Sequence, residues 1–195
     1  MKKIAVFASG NGSNFQALVN AVKAGRLDAE ICLLVCDNPS APAVLRAERE
    51  HIDLFCFTPN VFPDKAMFEK QIVRQLRCRN VDFIVLAGYM RLIGPTLLEE
   101  YPGAIVNIHP SLLPAFPGKD AIGQAIDAGA RVSGLTIHYV DAGMDTGPII
   151  FQKEIRIHSA DSKDDLQIRI QQAEHIYFPE VLQDLFTKGK TTAAH

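Results

Sequence analysis

The sequence Ala104-Ile105-Val106-Asn107-Ile108-His109 combines a short apolar run with an amide and an imidazole at its end. Its apolar residues predict a buried strand over Ala104–Ile108. Residues two apart on a strand share a face, so Asn107 and His109 are expected to point into one site. Ligands of open α/β sheets bind at the carboxyl ends of the strands. The stretch therefore predicts both the class of sheet and the position of its site.

The residues before this strand repeat the same arrangement, with short apolar runs separated by helical patterns. Four such runs are found at Lys3–Ala8, Glu30–Cys36, Leu54–Phe57 and Val81–Ala87. Strands that alternate with helices imply crossover connections and a mostly parallel sheet. We therefore predict an α/β fold whose N-terminal half is Rossmann-like and doubly wound.

The pattern changes after Gly118. Ser133–Val140 and Pro148–Ile157 alternate in polarity and predict an antiparallel hairpin. Ser162-Lys163-Asp164-Asp165 fits a capping box, which predicts the start of a long C-terminal helix. We expect a single domain over residues 1–188, followed by a flexible tail over 189–195.

Composition limits the classes of function. The net charge of −2 lacks the basic excess of a nucleic-acid-binding protein, and no apolar run approaches the ~20 residues that span a bilayer. The six histidines lack metal-ligand spacing, so we expect no metal site. No C-x-x-C pair occurs, which favours buried free thiols and a cytoplasmic protein. The cysteines are Cys32, Cys36, Cys56 and Cys78.

The loop Ser9-Gly10-Asn11-Gly12-Ser13-Asn14 joins the first strand to the first helix. Backbone N–H groups at a helix N-terminus, together with the side chains of Ser13 and Asn14, make an anion site. The loop is neither a Walker A sequence nor a full G-x-G-x-x-G, because Phe15 takes the last glycine position. A phosphomonoester fits it better than a dinucleotide. The alternative is a plain turn in which Ser13 or Asn14 caps the helix.

A single carboxylate, Asp145, lies in a loop framed by Gly143 and Gly147. An aspartate between two glycines, taken alone, predicts only a turn. If the loop folds back over the strand end, Asp145 favours the charged form of His109 and orients its ring. Asn107, His109 and Asp145 would then suit the stabilisation of a tetrahedral oxyanion and the movement of a proton. The set indicates direct group transfer without a cysteine or serine nucleophile.

These segments together resemble the phosphoribosylglycinamide formyltransferase family. The similar segments are Gly10–Asn14, Asn107-Ile108-His109-Pro110-Ser111-Leu112-Leu113-Pro114, and Gly134–Val140 running into Asp145-Thr146-Gly147. The resemblance extends from Ile4 to about Phe186. The Asn-x-His-Pro-Ser-Leu-Leu-Pro segment is specific for formyl-folate transferases as a superfamily. The Gly-Asn-Gly-Ser-Asn loop narrows the resemblance to members that bind a ribonucleotide phosphate.

The resemblance implies an activity and a set of site residues. The implied reaction transfers the formyl group of the co-substrate 10-formyltetrahydrofolate to the amine of glycinamide ribonucleotide, in de novo purine (IMP) biosynthesis. The implied catalytic residues are Asn107, His109 and Asp145, and the implied ribonucleotide site consists of Gly12, Ser13, Asn14 and Glu174. The implied folate site consists of Lys65, Met90, Arg91, Leu92, Ile93, Asn107, Val140, Asp141 and Asp145. Ala142 stands where relatives often carry an acidic residue.

Two alternatives stay open at this point. A formyltetrahydrofolate hydrolase-like enzyme shares much of the site, and formate release without a ribonucleotide acceptor would favour it. A non-catalytic nucleotide-binding module would bind ligand without turnover and would tolerate Asp145→Asn. Under each reading we expect small-molecule ligands, no nucleic-acid or membrane partner, and a monomer or homodimer.

Overall fold

One sheet of seven strands organises residues 1–191, the part of the chain that a computed structural model describes. The strands are β1 (Lys2–Ala8), β2 (Ala29–Cys36), β3 (Leu54–Cys56), β4 (Phe83–Leu86), β5 (Ile105–His109), β6 (Val132–Tyr139) and β7 (Ile149–Arg156). Their order across the sheet is β3-β2-β1-β4-β5-β6-β7. Strands β1 to β5 pair in parallel, whereas β5 with β6 and β6 with β7 pair antiparallel. The predicted mostly parallel sheet with a C-terminal hairpin is confirmed.

The order places a switch point at β1, which has β2 on one side and β4 on the other. The chain leaves the neighbouring strands β1 and β4 toward opposite faces of the sheet, and a crevice opens between the two connections at the carboxyl end. The loop after β1 and the segment after β4 therefore lie beside each other. This position brings the predicted phosphate loop next to the predicted folate segment.

Helices cover both faces of the sheet. They are α1 (Ser13–Lys23), α2 (Pro42–Arg49), α3 (Lys65–Cys78), α4 (Pro95–Glu100), α5 (Ala121–Asp127) and α6 (Lys163–Thr191). Alternate residues of β1 belong to different cores: Val6 packs in the cluster that includes residues of α1, α2 and α6, and Phe7 packs in the cluster that includes residues of α3 and α4. A parallel sheet buried on both faces is the doubly wound arrangement that was predicted.

Helix α6 begins at the predicted capping box. The Ser162 backbone N–H donates to Asp165 Oδ2 at 2.9 Å, and the Asp165 N–H donates to Ser162 Oγ at 3.2 Å. The helix continues to Thr191, inside the segment 189–195 that was expected to be a flexible tail, and residues 192–195 lie outside the described part. The division of the chain at residue 188 stays a prediction.

Some local expectations differ from the structure. A short 3-10 helix at Pro59–Val61 was not predicted. The expectation of buried free thiols was correct for Cys36, whereas Cys32 and Cys56 are half-buried. It was wrong for Cys78, which is exposed because it lies off the buried face of α3. All four cysteines are free. No helix within residues 1–191 combines the length and apolarity needed to cross a membrane.

Candidate active site

A cavity of about 570 Å³ opens at the carboxyl ends of β1, β4 and β5. Gly10–Asn14 and Gly88–Ile93 line its two sides, and residues of α6 close it from above the sheet. Asn107, His109 and Asp145 all line this one cavity. The two-residue spacing on β5 and the return of the β6–β7 loop therefore bring together the three polar groups that the sequence singled out.

His109 lies between two acceptors. Its Nδ1 is 3.4 Å from Asp145 Oδ2, and its Nε2 is 2.9 Å from the carbonyl oxygen of Phe116. A carbonyl oxygen only accepts hydrogen bonds, so Nε2 carries a proton and donates it. Nδ1 then faces a carboxylate, a contact that is attractive only when Nδ1 is protonated as well. With both nitrogens protonated, this buried ring donates to the Phe116 carbonyl and pairs with the Asp145 carboxylate.

Asp145 is held by a backbone N–H and by the His109 ring. Its Oδ2 accepts the Gly118 backbone N–H at 2.8 Å, and its Oδ1 lies 3.7 Å from His138 Nε2. Burial raises the pKa of Asp145, but the Gly118 N–H and the charge of His109 lower it, and the net pKa is lowered. The carboxylate is therefore ionised at neutral pH and can serve as the counter-charge of an imidazolium.

His138 is a site residue that sequence reasoning missed. It lies opposite Asn107 in the antiparallel register of β5 and β6. Its Nδ1 donates to the Tyr139 carbonyl at 2.8 Å, and its Nε2 lies 3.2 Å from Asn107 Nδ2. In the neutral ring Nε2 accepts one hydrogen of the Asn107 amide and leaves the other hydrogen for the cavity. Only the register of β6 could have revealed this pair.

The proline-containing loop after β5 positions the two catalytic candidates through its backbone. Phe116 supplies the carbonyl that fixes His109, and Gly118 supplies the N–H that fixes Asp145. Ser111 is fully buried, and its hydroxyl donates to the Ala115 carbonyl at 2.6 Å. Ser111 is therefore a structural residue of the loop, in agreement with the absence of a serine nucleophile motif.

The loop after β1 leaves its backbone N–H groups available. Gly12 is the N-cap of α1, has a φ of 73°, and makes no side-chain capping bond. A Cβ on Gly12 would lie 2.8 Å from Ala43 Cβ, so only glycine fits at this left-handed position. Neither Ser13 nor Asn14 caps the helix, and the plain capped-turn alternative is wrong. Arg46 stabilises the loop by donating to the Asn11 carbonyl and to Asn11 Oδ1, both at 2.8 Å.

Glu174 reaches the same loop from α6. Its Oε2 accepts from Asn14 Nδ2 at 2.8 Å, and the residue is 5% exposed. Burial raises the pKa of Glu174 to about 7, although the Asn14 bond lowers it in part. Asn14 Oδ1 is buried and makes no hydrogen bond to any group among residues 1–191. Three further polar residues of α6 line the cavity, at helical spacing from Glu174 that the sequence could have revealed: Lys163, Gln167 and Gln171.

The segment after β4 forms an apolar wall at the mouth of the cavity. Met90 is 65% exposed and Leu92 is 46% exposed, and Met144 faces the cavity from the β6–β7 loop. Arg91 Nε donates to the buried carboxylate of Asp37 at 2.7 Å, which fixes the arginine at the wall. Two exposed methionines and a leucine at one opening make a surface suited to a flat apolar ligand.

Most of the predicted folate residues line this cavity, but two do not. The residues that line it are Met90, Arg91, Leu92, Ile93, Asn107, Val140 and Asp145. Lys65 lies outside it at the start of α3, with its Nζ 3.9 Å from Glu69 Oε1. Asp141 accepts from the Gly143 N–H at 3.0 Å and from the Thr146 hydroxyl at 2.7 Å. Asp141 therefore shapes the loop that carries Asp145, and the exposed Ala142 adds no further carboxylate there.

Within residues 1–191, no group of three or more histidine, cysteine, aspartate or glutamate residues is arranged to hold a metal ion. The chemical resources of the cavity are instead an ionised carboxylate, two imidazoles, an amide and a set of free backbone N–H groups.

Comparison with known proteins agrees with this geometry. Residues 2–182 match the family model described as formyl transferase. Phosphoribosylglycinamide formyltransferase of Bacillus subtilis is 57% identical over 185 residues, which cover 95% of this chain and 95% of that protein. The crystal structure of glycinamide ribonucleotide transformylase 1 from Geobacillus kaustophilus has a TM-score of 0.93 at 58% identity, covering 95% of this chain and 98% of that one. Phosphoribosylglycinamide formyltransferase from Bacillus halodurans has a TM-score of 0.94 at 50% identity, covering 96% and 97%.

Proposed function

The chain belongs to the formyl transferase family, and from that premise we propose that it transfers the formyl group of 10-formyltetrahydrofolate to the amine of glycinamide ribonucleotide in purine biosynthesis. One observation carries the proposal. Asn107, His109 and Asp145 line a single cavity, with an anion-binding loop on one side and an apolar wall on the other. A phosphorylated acceptor and a flat donor can then meet at the polar trio.

The ribonucleotide is proposed to bind at the β1–α1 loop. Its phosphate accepts hydrogen bonds from the uncapped N–H groups of Gly12, Ser13 and Asn14, where the helix dipole also favours an anion. Glu174 stands beside this loop and accepts from the hydroxyl or amine groups of the substrate. The Asn14 oxygen that has no partner in the protein is an acceptor for the same molecule.

The formyl-folate is proposed to bind along the wall formed by Met90, Leu92, Ile93 and Val140. Burial of a flat aromatic ring against these side chains removes apolar surface from water at roughly 25 cal/mol per Å². Arg91, fixed by Asp37, gives this wall a cation at its edge. The formyl group then lies at the end of β5, within reach of Asn107 and His109.

The proposed reaction is a direct displacement. The substrate amine attacks the formyl carbon, a C–N bond forms, and negative charge grows on the formyl oxygen. The free hydrogen of the Asn107 amide and the Nδ1–H of His109 donate to that oxygen. One such donor is typically worth ~10²–10³ in rate. The Nδ1–Oδ2 distance of 3.4 Å exceeds that of a tight charged hydrogen bond, so this proton is available to a stronger acceptor.

The tetrahedral intermediate then collapses. The bond between the formyl carbon and folate N10 breaks, the amine loses a proton, and N10 gains one. Asp145 stabilises the imidazolium throughout and assists the proton transfer, through water. Neither a metal nor a covalent enzyme intermediate is needed for these steps. The products are the formylated ribonucleotide and tetrahydrofolate.

The two alternative functions, a hydrolase and a binding module, give a role to fewer residues of the cavity. A hydrolase needs water in place of the amine, and gives no role to the uncapped loop at Gly12 or to the buried Glu174 beside it. A non-catalytic binding module gives no role to the His109–Asp145 pair. We also propose that the protein acts on small molecules in the cytoplasm as a monomer or homodimer, which light scattering coupled to size exclusion would measure.

An assay with both substrates tests the proposed function. We expect the protein to convert 10-formyltetrahydrofolate to tetrahydrofolate only when glycinamide ribonucleotide is present, with one formylated ribonucleotide made per folate consumed. Formate production without the ribonucleotide would favour the hydrolase reading. Ligand binding without either product would favour the binding module. Both results would contradict the proposal.

A further inference from the structure

Glu69 is a buried carboxylate that the proposed mechanism does not use. It lies on α3 outside the cavity and is 1% exposed. Its Oε1 accepts the Gly94 backbone N–H at 2.7 Å, and its Oε2 is buried without a hydrogen-bond partner in the described part of the chain. Burying a carboxylate is costly unless it is paired. A helix position facing the core is more simply filled by an apolar residue, so this carboxylate requires an explanation.

Gly94 and Glu69 fit together so closely that each limits the other. A Cβ on Gly94 would lie 2.6 Å from Glu69 Oε2 and 2.9 Å from Oε1. The φ of Gly94 is −96°, a conformation that any residue adopts, so glycine is required here for space. Gly94 is also the N-cap of α4 and has no side chain to cap it. The Glu69 carboxylate supplies that cap from another helix.

The contact fixes one end of the predicted folate wall. Gly94 directly follows the segment Met90–Ile93. The other end of the segment is held by Ser9, whose N–H donates to the Gly88 carbonyl at 3.0 Å and whose Oγ accepts the Met90 N–H at 2.9 Å. Hydrogen bonds therefore fix the segment at both ends, to Ser9 at Met90 and to Glu69 at Gly94.

Glu69 also holds Lys65. The Lys65 Nζ lies 3.9 Å from Glu69 Oε1, one helical turn away on α3. A Cβ on Gly94 would lie 2.9 Å from Lys65 Cε, so the lysine stem passes directly over the end of the wall. Burial raises the pKa of Glu69, while the Gly94 N–H and the Lys65 charge lower it in part. The groups that offset the burial of this carboxyl are the Gly94 N–H, the Lys65 charge and the Leu97 N–H in the first turn of α4.

We propose that Glu69 is the positioning residue of the formyl-folate site, because it fixes the Gly94 end of the apolar wall and keeps the Lys65 ammonium beside it. This inference rests on the proposed function of Met90–Ile93 as the folate wall. Glu69 touches neither substrate, so its effect passes through the wall and appears in folate affinity. The proposed ribonucleotide residues Gly12, Ser13 and Asn14 follow Ser9 in the same loop, at the end of the wall that Glu69 does not contact, and Arg46 holds Asn11 of that loop.

Two variants test the inference. Glu69→Ala removes the acceptor and the charge, and we expect it to raise the KM for formyl-folate about tenfold, as loss of a charged hydrogen bond allows. The KM for the ribonucleotide and kcat at saturating folate should stay within about twofold of wild type. Gly94→Ala keeps the glutamate but pushes its carboxylate away from the backbone of residue 94. It should likewise raise the KM for formyl-folate and leave the KM for the ribonucleotide nearly unchanged. Glu100→Gln, on the other end of α4 where Glu100 pairs with Arg77, is the matched control and should change neither KM.

Direct binding separates this inference from the proposed function. Calorimetric titration with tetrahydrofolate should show about tenfold weaker binding to Glu69→Ala than to wild type. If wild type transfers formyl groups and Glu69→Ala binds tetrahydrofolate normally, or if both KM values rise together with loss of thermal stability, the positioning role is wrong. If Glu69→Ala does not fold, Gly94→Ala and Glu69→Gln decide the same question. If the wild type neither transfers formyl groups nor binds tetrahydrofolate, the proposed function is wrong, and this inference, which rests on it, is wrong as well.

Discussion

His109 and Asp145 form a buried pair across the end of β5, with Nδ1 and Oδ2 separated by 3.4 Å. The pair is assembled from distant parts of the chain by the backbone of one loop, since Phe116 fixes the ring and Gly118 fixes the carboxylate. Both partners line the cavity, so the charge of the imidazolium is available to a substrate.

Replacing His109 by alanine should remove the charged donor to the formyl oxygen. We expect kcat to fall by a factor of ~10²–10³, as loss of one oxyanion donor typically causes. Initial rates with both substrates at saturation measure the effect. His158→Ala is the control, because His158 is exposed and lies outside the cavity. Full activity of His109→Ala would rule out the oxyanion role.

Replacing Ser13 by alanine should weaken the phosphate site. The variant keeps the backbone N–H groups but loses the hydroxyl, so we expect the KM for the ribonucleotide to rise about tenfold with little change in kcat. Steady-state kinetics with each substrate varied in turn separates the two KM values. The exposed Ser40 provides a matched serine-to-alanine control. An effect confined to the folate KM would argue against the phosphate assignment.

Replacing His138 by phenylalanine should release the Asn107 amide. The variant keeps an aromatic ring in this buried position but removes the Nε2 acceptor 3.2 Å from Asn107 Nδ2. We expect kcat to fall about tenfold, with both KM values nearly unchanged, because the lost bond orients a donor to the transition state. Ser133→Ala on the same strand is a buried control. Nitrogen NMR of the wild type should find the Nδ1–H tautomer, and an Nε2–H tautomer would contradict this role.

Glu174 should make stability fall as pH rises. Its pKa is raised to about 7 in the folded protein, against 4.5 for an ordinary glutamate. Between these values the native state holds a proton that the unfolded state has lost, so unfolding becomes easier with increasing pH. At about 1.4 kcal/mol per pKa unit, the full effect above pH 7 is on the order of 3 kcal/mol.

The variant Glu174→Gln should remove that dependence. We expect it to gain stability relative to wild type as pH rises from 4.5 to 7, and to differ little below pH 4.5. Urea unfolding at a series of pH values measures the free energy of unfolding. Glu180→Gln, at an exposed position of the same helix, is the control. An unchanged pH dependence in Glu174→Gln would show that Glu174 is ionised when buried.

Local patterns were sufficient to predict the sheet and most of its loops. The apolar runs located the strands, and the period of two placed Asn107 and His109 on one face because strand geometry is fixed by the backbone. Gly12 signalled the tight loop after β1, which we propose binds phosphate, because a left-handed, closely packed backbone position admits little else. These features depend only on residues near one another in sequence.

The parts that could not be predicted depend on register and on contacts between distant elements. His138 faces Asn107 only because β6 pairs with β5 in one particular register. Glu69 occupies a helix position whose neighbours come from α4, so its burial is invisible in the sequence of α3. Lys65 was expected at the folate site, but Glu69 holds it outside the cavity, and its role there stays a prediction.

The rate of a single turnover by Asp145→Asn tests most directly whether the His109–Asp145 pair performs the transfer. The substitution keeps the shape of the side chain and removes its charge, so the imidazolium loses its counter-charge. With enzyme in excess over formyl-folate, we predict that the transfer rate falls at least about a hundredfold, the usual worth of positioned proton-transfer groups. Ribonucleotide affinity should stay within about twofold of wild type. A wild-type transfer rate in Asp145→Asn would contradict the catalytic assignment of the pair.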